Sequence, residues 1–96
     1  MLYAWMGFLK RDAAPVPQRV QELTNEFLGQ PFITIHFAGP LRDPVGQRAG
    51  MMVIFEHTTR DAAESFVSTS PYLRAGLYEA HQLYEYANEV GWPNSA

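Results

Sequence analysis

Residues 32–58, FITIHFAGPLRDPVGQRAGMMVIFEHT, contain two apolar runs separated by a turn-rich segment. The runs at 32–41 and 51–58 are rich in β-branched and aromatic residues, which favour β-strands. The segment at 42–50 contains the Gly, Pro and Asp residues that are typical of loops. This stretch therefore predicts a β-hairpin in the middle of a 96-residue chain.

The segments before the hairpin predict a strand and a helix. Residues 2–9, LYAWMGFL, are aromatic-rich and too short for a typical helix, so they predict a buried strand. Pro15 and Pro17 suit the opening turn of a helix, and Gly29 suits its C-terminal cap. Between them, apolar residues recur at the spacing of one helical face: Val16, Val20, Leu23 and Phe27.

The segments after the hairpin repeat the pattern of helix and strand. Thr58 and Asp61 have the spacing of a capping box and predict the start of a second helix of about two turns. Residues 71–78 predict a short helical turn, and residues 81–89, HQLYEYANE, predict a fourth strand. In the remaining tail, VGWPNSA, we expect Trp92 to pack on its own subunit or on a partner subunit.

The resulting order of strand, helix, strand, strand, helix, strand predicts an α+β fold. It is the ferredoxin-like βαββαβ pattern, with a four-stranded antiparallel sheet, both helices on one face, and one domain over residues 1–96. The strands contain more apolar side chains than one sheet face can hold, and alternation places about half on the other face. Because an exposed apolar face marks an interface, we expect a homodimer through the sheet face.

Composition argues against several classes of partner and cofactor. The net charge is −3, and the seven Lys and Arg residues are scattered, which argues against nucleic acid. The absence of cysteine removes disulfides and favours a cytoplasmic location. The apolar start MLYAWMGFL has no basic residue before it and is too short to span a bilayer, so we expect no membrane partner. The three histidines lack metal-site spacing and there is no Gly-rich phosphate loop, so we expect neither a metal nor a cofactor.

Residues 70–79, SPYLRAGLYE, resemble the D-P-[FY]-x-x-A-G-[LV]-x-E stretch of the YCII-related family. MLYAW at 1–5 and AGPL at 38–41 are similar to that family's M-[LF]-Y opening and A-G-P turn. The resemblance spans nearly the whole chain. It implies a dimeric α/β-barrel built from two ferredoxin-like units.

The same resemblance bears on the site. The family's proposed site is a His early in the first helix and an Asp directly before the proline. In this sequence, the corresponding positions are Arg19 and Ser70, and no His occurs between residues 1 and 35. The acid–base chemistry that a His–Asp pair supports is therefore not transferred.

The candidate ligand-binding residues each have a structural and a functional interpretation. Ser70 either caps the turn that begins at Pro71 or donates a hydrogen bond in a pocket. Arg74 is either a solvated charge or a two-pronged contact for a carboxylate. His36 is either a hydrogen-bonded core residue or an acid–base group, with Glu56 as its partner if the hairpin register allows. The full candidate set is Arg19, Ser70, Tyr72, Arg74 and His36.

These patterns favour a small-molecule-binding protein whose ligand is an anionic or aromatic organic acid. In this hypothesis, Arg19 and Ser70 lie near one another and hold the anion by a charge-assisted hydrogen bond. Two alternatives remain open. One is a lyase-, isomerase- or hydrolase-like enzyme acting on a small cyclic or aromatic acid, with His36 as the acid–base group. The other is a structural dimer module.

Overall fold

The computed structural model describes residues 1–11 and 16–91. The sheet has the strand order β2-β3-β1-β4, and neighbouring strands are antiparallel. The predicted α+β, ferredoxin-like fold is therefore confirmed. Its elements are β1 (Leu2–Leu9), α1 (Gln18–Gly29), β2 (Ile35–Arg42), β3 (Arg48–Glu56), α2 (Arg60–Val67), α3 (Pro71–Arg74) and β4 (Tyr78–Tyr86).

The strand boundaries differ from the predicted ones. Strand β2 begins at Ile35 and not at residue 32. The cause is Gln30, whose Oε1 accepts hydrogen bonds from the backbone N–H groups of Phe32 at 2.7 Å and Ile33 at 3.0 Å. These bonds hold the chain in a turn, and Phe32 is 88% exposed despite its apolar side chain. Strands β3 and β4 each begin three residues earlier than predicted.

Two predicted helix caps were also wrong. Helix α1 ends at Gly29 itself, and Gln30 follows in an extended conformation, so no left-handed glycine cap forms. Helix α2 has Thr59 as its N-cap, because the Thr59 Oγ1 accepts a hydrogen bond from the Ala62 N–H at 3.1 Å. The N–H of Thr58, the predicted cap, instead donates to Nδ1 of His57 at 2.9 Å.

The hydrophobic core lies between the sheet and the helices. Alternate residues of β1 and β3 face the helices, and Trp5 of β1 pairs with Val53 of β3 on this side. The Phe66 ring of α2 lies 4.8 Å from the rings of Phe27 and Phe55, measured between centroids. Burying each large apolar side chain contributes about 1.5–3 kcal/mol, so this layer stabilises the placement of all three helices.

The opposite face of the sheet is apolar and exposed. It includes Phe8 on β1, Phe37 on β2, and Tyr84 and Tyr86 on β4. Phe37 is 42% exposed and Tyr84 is 52% exposed. The expectation that apolar residues occupy both faces is confirmed, while the homodimer that covers this face stays a prediction.

Some expectations fall on other parts of the chain. Pro15, in the predicted opening turn of α1, and Trp92, in the predicted docked tail, lie outside the described residues. Over residues 1–11 and 16–91, we find no helix with the length and apolar character needed to cross a bilayer.

A small residue is required at Gly7, in the second half of β1. A Cβ atom there would lie only 2.6 Å from Cε2 of the Tyr78 ring. We predict that Gly7→Ala lowers the free energy of unfolding by about 1–3 kcal/mol, because the ring must move. Chemical denaturation measures this change. The matched control is Gly39→Ala on β2, where an added Cβ meets nothing within 4 Å. An equal loss in both variants would contradict the steric explanation.

Candidate functional site

Gln21, Arg48 and Tyr72 join helix α1, strand β3 and helix α3 through one shared acceptor. Oε1 of Gln21 accepts hydrogen bonds from the Tyr72 hydroxyl at 2.7 Å and from Nη1 of Arg48 at 3.1 Å. The Arg48 guanidinium carbon lies 5.5 Å from the centroid of the Tyr72 ring, within the range of a cation–π contact. The guanidinium is therefore held by two different elements.

Tyr78 completes what we call the buried polar cluster: Gln21, Arg48, Tyr72 and Tyr78. The turn between α3 and β4 passes through Gly76, whose φ of 72° suits glycine. This turn places the Tyr78 ring 5.7 Å from the Tyr72 ring, measured between centroids. Tyr78 is only 8% exposed, because its ring lies against the backbone of Gly7.

The buried polar cluster contains more hydrogen-bond donors than acceptors. Within the part of the chain that the structure describes, Nε of Arg48 and the hydroxyl of Tyr78 are buried and have no hydrogen-bond partner. Oε1 of Gln21 already accepts two bonds. Because buried polar groups are nearly always hydrogen-bonded, the two remaining donors require an additional acceptor, such as an oxygen atom of a ligand or a water.

Both phenols of the cluster are donors at neutral pH. Burial raises the pKa of Tyr78, and the neighbouring Tyr72 raises it further, while Arg48 lowers it by a smaller amount. Burial also raises the pKa of Tyr72, against a smaller lowering by Arg48. Neither phenol is therefore a base near neutral pH, and each presents an O–H group.

Arg48 also lines an open cleft of about 510 Å³ at the end of the sheet where β1 stops and the β2–β3 hairpin turns. Among the described lining residues, the only carboxylate is Asp43, and its Oδ1 accepts hydrogen bonds from the backbone of the hairpin loop. The cleft contains four of the chain's seven Lys and Arg residues. We call it the cationic cleft, after Lys10, Arg11, Arg42 and Arg48.

Sequence reasoning missed the cationic cleft because its residues are distant along the chain. Arg42 and Arg48 pair across the β2–β3 hairpin, and Phe8 pairs with Gly50, so the end of β1 lies beside them. The available signal was the presence of both arginines within the predicted loop at residues 42–50. Only the register of the sheet adds Lys10 and Arg11 to that end.

The candidate residues on the helices are not all brought together. Tyr72 belongs to the buried polar cluster, and Ser70 is buried at the N-cap position of α3, where its side chain makes no capping hydrogen bond. Arg74 is exposed, and the Arg19 side chain is 71% exposed and lies 3.5 Å from the Glu22 carboxylate. The residue of α1 that contacts Tyr72 is Gln21. Joint binding of a ligand by Arg19 and Ser70 stays a prediction.

His36 forms a pair with Glu56 at the other end of the hairpin. Nε2 of His36 lies 2.9 Å from Oε1 of Glu56, so the register does allow the predicted pair. His36 lies at a register shift between Ile35 and Phe37. Arg42 is six residues further along β2, about 20 Å at 3.3 Å per residue, so His36 lies far from the cationic cleft of its own subunit.

Metal-ligating side chains do not cluster anywhere in residues 1–11 and 16–91. No three His, Asp or Glu residues in these ranges are placed to hold one ion. The main functional hypothesis rests on the cationic cleft and on the buried polar cluster that shares Arg48 with it.

Comparisons with known proteins give matches among solved structures, and these matches show the fold class. No family model matches the sequence, and no curated protein matches it either. The chain is similar to the solved structure of 5-chloro-2-hydroxyhydroquinone dehydrochlorinase (TftG) from Burkholderia phenoliruptrix AC1100, in complex with 2,5-dihydroxybenzoquinone. The TM-score is 0.82 at 21% identity, over 93% of this chain and 96% of that chain.

A second solved structure is that of the protein At3g17210 from Arabidopsis thaliana. Its TM-score is 0.53 at 9% identity, over 95% of this chain and 97% of that chain. At such identities the likeness shows the fold alone. The chain is thus a ferredoxin-like α+β protein with a four-stranded antiparallel sheet.

The raised pKa of Tyr78 predicts how stability depends on pH. Because the folded-state pKa lies above the ordinary value of 10.0, the folded protein retains a proton that the unfolded chain releases. This contribution to stability is fully present below about pH 9 and is lost as the pH rises above 10. Tyr78→Phe removes the group, so its free energy of unfolding should fall less steeply over this alkaline range.

Denaturant unfolding at a series of alkaline pH values measures these slopes. Tyr84→Phe, on the opposite face of the sheet, is the matched control and should follow the unsubstituted protein. Identical slopes for Tyr78→Phe and the unsubstituted protein would contradict the prediction.

Proposed function

We propose that this protein binds a small anionic organic compound, an aromatic or cyclic acid, in the cationic cleft. The observation that carries the proposal is the position of Arg48, which lines the cleft and also belongs to the buried polar cluster. Its guanidinium is held by Gln21 and Tyr72 before any ligand arrives. A held planar guanidinium binds a carboxylate with little further loss of conformational entropy.

Charge supports an anionic ligand. The four cations and one carboxylate give the cationic cleft a formal charge of +3, whereas the chain as a whole has a net charge of −3. The positive potential is therefore local, and it attracts a small anion to this end of the sheet.

The aromatic or cyclic character of the ligand is suggested by a protein of similar fold. The dehydrochlorinase of similar fold was solved with 2,5-dihydroxybenzoquinone bound. This compound is a cyclic vinylogous acid, so it combines a ring with anionic oxygens.

Membership of the YCII-related family and a cytoplasmic location are further parts of the proposal. They are supported by residues 70–79 and by the lack of cysteine, respectively.

We predict that Arg48→Gln weakens the binding of 2,5-dihydroxybenzoquinone by about tenfold or more, because a hydrogen bond to a charged group contributes about 1.5–3 kcal/mol. Calorimetry with the purified protein measures the Kd. Arg42→Gln, also in the cleft, should weaken binding less, because Arg42 donates to the backbone oxygen of Gly46.

The matched controls are Arg19→Gln and Arg74→Gln, which remove exposed cations outside the cationic cleft. Both should bind like the unsubstituted protein. A loss in Arg19→Gln with none in Arg48→Gln would reject the cationic cleft and favour the Arg19–Ser70 hypothesis. A thermal unfolding curve for each variant separates loss of binding from loss of folding.

A second candidate function is catalysis at His36, favoured by its contact with Glu56. A carboxylate at 2.9 Å can orient the imidazole for proton transfer. Release of chloride from 5-chloro-2-hydroxyhydroquinone tests this candidate. His36→Gln should abolish the release, and no release by the unsubstituted protein would leave binding as the function.

We further propose that the protein is a homodimer through the exposed apolar sheet face. Light scattering at micromolar concentration should give twice the monomer mass. Tyr84→Glu places a charge on this face and should shift the protein toward monomer. Val45→Glu, in the exposed hairpin loop, is the matched control and should remain dimeric. A monomeric unsubstituted protein would refute the proposal.

A further inference from the structure

The imidazole of His81 is oriented by a buried tryptophan. His81 lies on β4 opposite Gly7, on the side of the sheet that faces the helices. Nε1 of Trp5 donates a hydrogen bond to Nδ1 of His81 at 3.1 Å, with the two rings nearly perpendicular. Since Trp5 is buried and its N–H can only donate, Nδ1 must accept. Neutral His81 therefore carries its proton on Nε2, at the other edge of the ring.

A second cleft, of about 440 Å³, lies beside this ring between α2, α3 and β4. Its floor is apolar, because Val67 and Leu83 are buried side chains and Leu73 is partly buried. We call it the His81 cleft. Its volume is within the range of small-molecule pockets, and an apolar floor with a few polar groups is typical of such pockets. The polar groups around it are Arg60, Glu64, Ser68 and His81.

Charge distinguishes the His81 cleft from the cationic cleft. Nε of Arg60 lies 3.0 Å from the Glu64 carboxylate, and its Nη2 donates to the Leu83 carbonyl at 2.9 Å. With His81 neutral, the rim has no net formal charge. A bound anion would be repelled by the Glu64 carboxylate, and a bound cation would be repelled by the Arg60 guanidinium. Ser68 donates its hydroxyl proton to the Ser65 carbonyl at 2.7 Å, so its oxygen remains only as an acceptor.

We propose that the His81 cleft is a second binding site, for a small neutral ring compound with a carbonyl oxygen. The carbonyl accepts a hydrogen bond from Nε2–H of His81, and the ring packs on the apolar floor formed by Val67, Leu73 and Leu83. The hydrogen bond from Trp5 fixes which nitrogen donates, so the site selects an acceptor. The two clefts thereby differ in the charge of the ligand they take, and this site does not depend on the proposed function of the cationic cleft.

Acetophenone and benzoate test this proposal, because they have the same ring and differ mainly in charge. The indole N–H signal of Trp5 in two-dimensional NMR is the readout, and Trp92→Phe identifies it. Acetophenone should shift this signal in a saturable manner at millimolar concentration, whereas benzoate should not. An unmoved Trp5 signal, or an equal shift with benzoate, would overturn the proposal.

Two substitutions locate the site. Ser68→Trp fills the cleft and leaves Trp5 and His81 themselves unsubstituted, and it should raise the Kd for acetophenone at least tenfold. Ser65→Trp is the matched control, because Ser65 is exposed on α2 and does not line the cleft. This variant should leave the Kd unchanged. His81→Phe should weaken binding, and if this variant fails to fold, Ser68→Trp decides. Unchanged binding in Ser68→Trp would reject the site. Arg48→Gln should leave acetophenone binding intact.

Discussion

The packing of the Tyr78 ring against the backbone of Gly7 is the contact on which the candidate site of this protein depends. A strand residue with any side chain would occupy the space of that ring. With glycine there, the phenol enters the layer between sheet and helices and lies beside Tyr72. This contact also aligns the start of β4 with the end of β1, where the cationic cleft opens.

Arg48 connects this packing to chemistry. A guanidinium in a partly apolar layer requires partners, and it obtains them from the side-chain oxygen of Gln21 and the face of the Tyr72 ring. Its Nε and the Tyr78 hydroxyl are left as buried donors. The protein thus keeps a fixed cation at the border between its interior and an open cleft. In the His81 cleft, too, a polar side chain is held by a neighbour, because Trp5 donates a hydrogen bond to the imidazole. With His81 neutral, that cleft has no net charge.

Much of the fold was predictable because it depends on local periodicity. The apolar strand runs, the helical spacing in α1 and the loop residues of the hairpin predicted the βαββαβ order, which the structure confirms. The errors are at element ends, where one side chain decides. Gln30 keeps Phe32 and Ile33 out of β2, and Thr59 takes the cap expected of Thr58. The His36–Glu56 pair was predictable because hairpin partners are close in sequence.

The sequence by itself determined the class of fold and the presence of apolar residues on both sheet faces, because alternation and helical spacing act over a few neighbouring residues. It also singled out Tyr72 and His36. Only the tertiary structure decided which polar groups meet. Gln21, Arg48 and Tyr78 are distant along the chain, and antiparallel register and helix packing bring them together. Contacts between distant segments depend on the whole set of packing interactions, which no local pattern encodes.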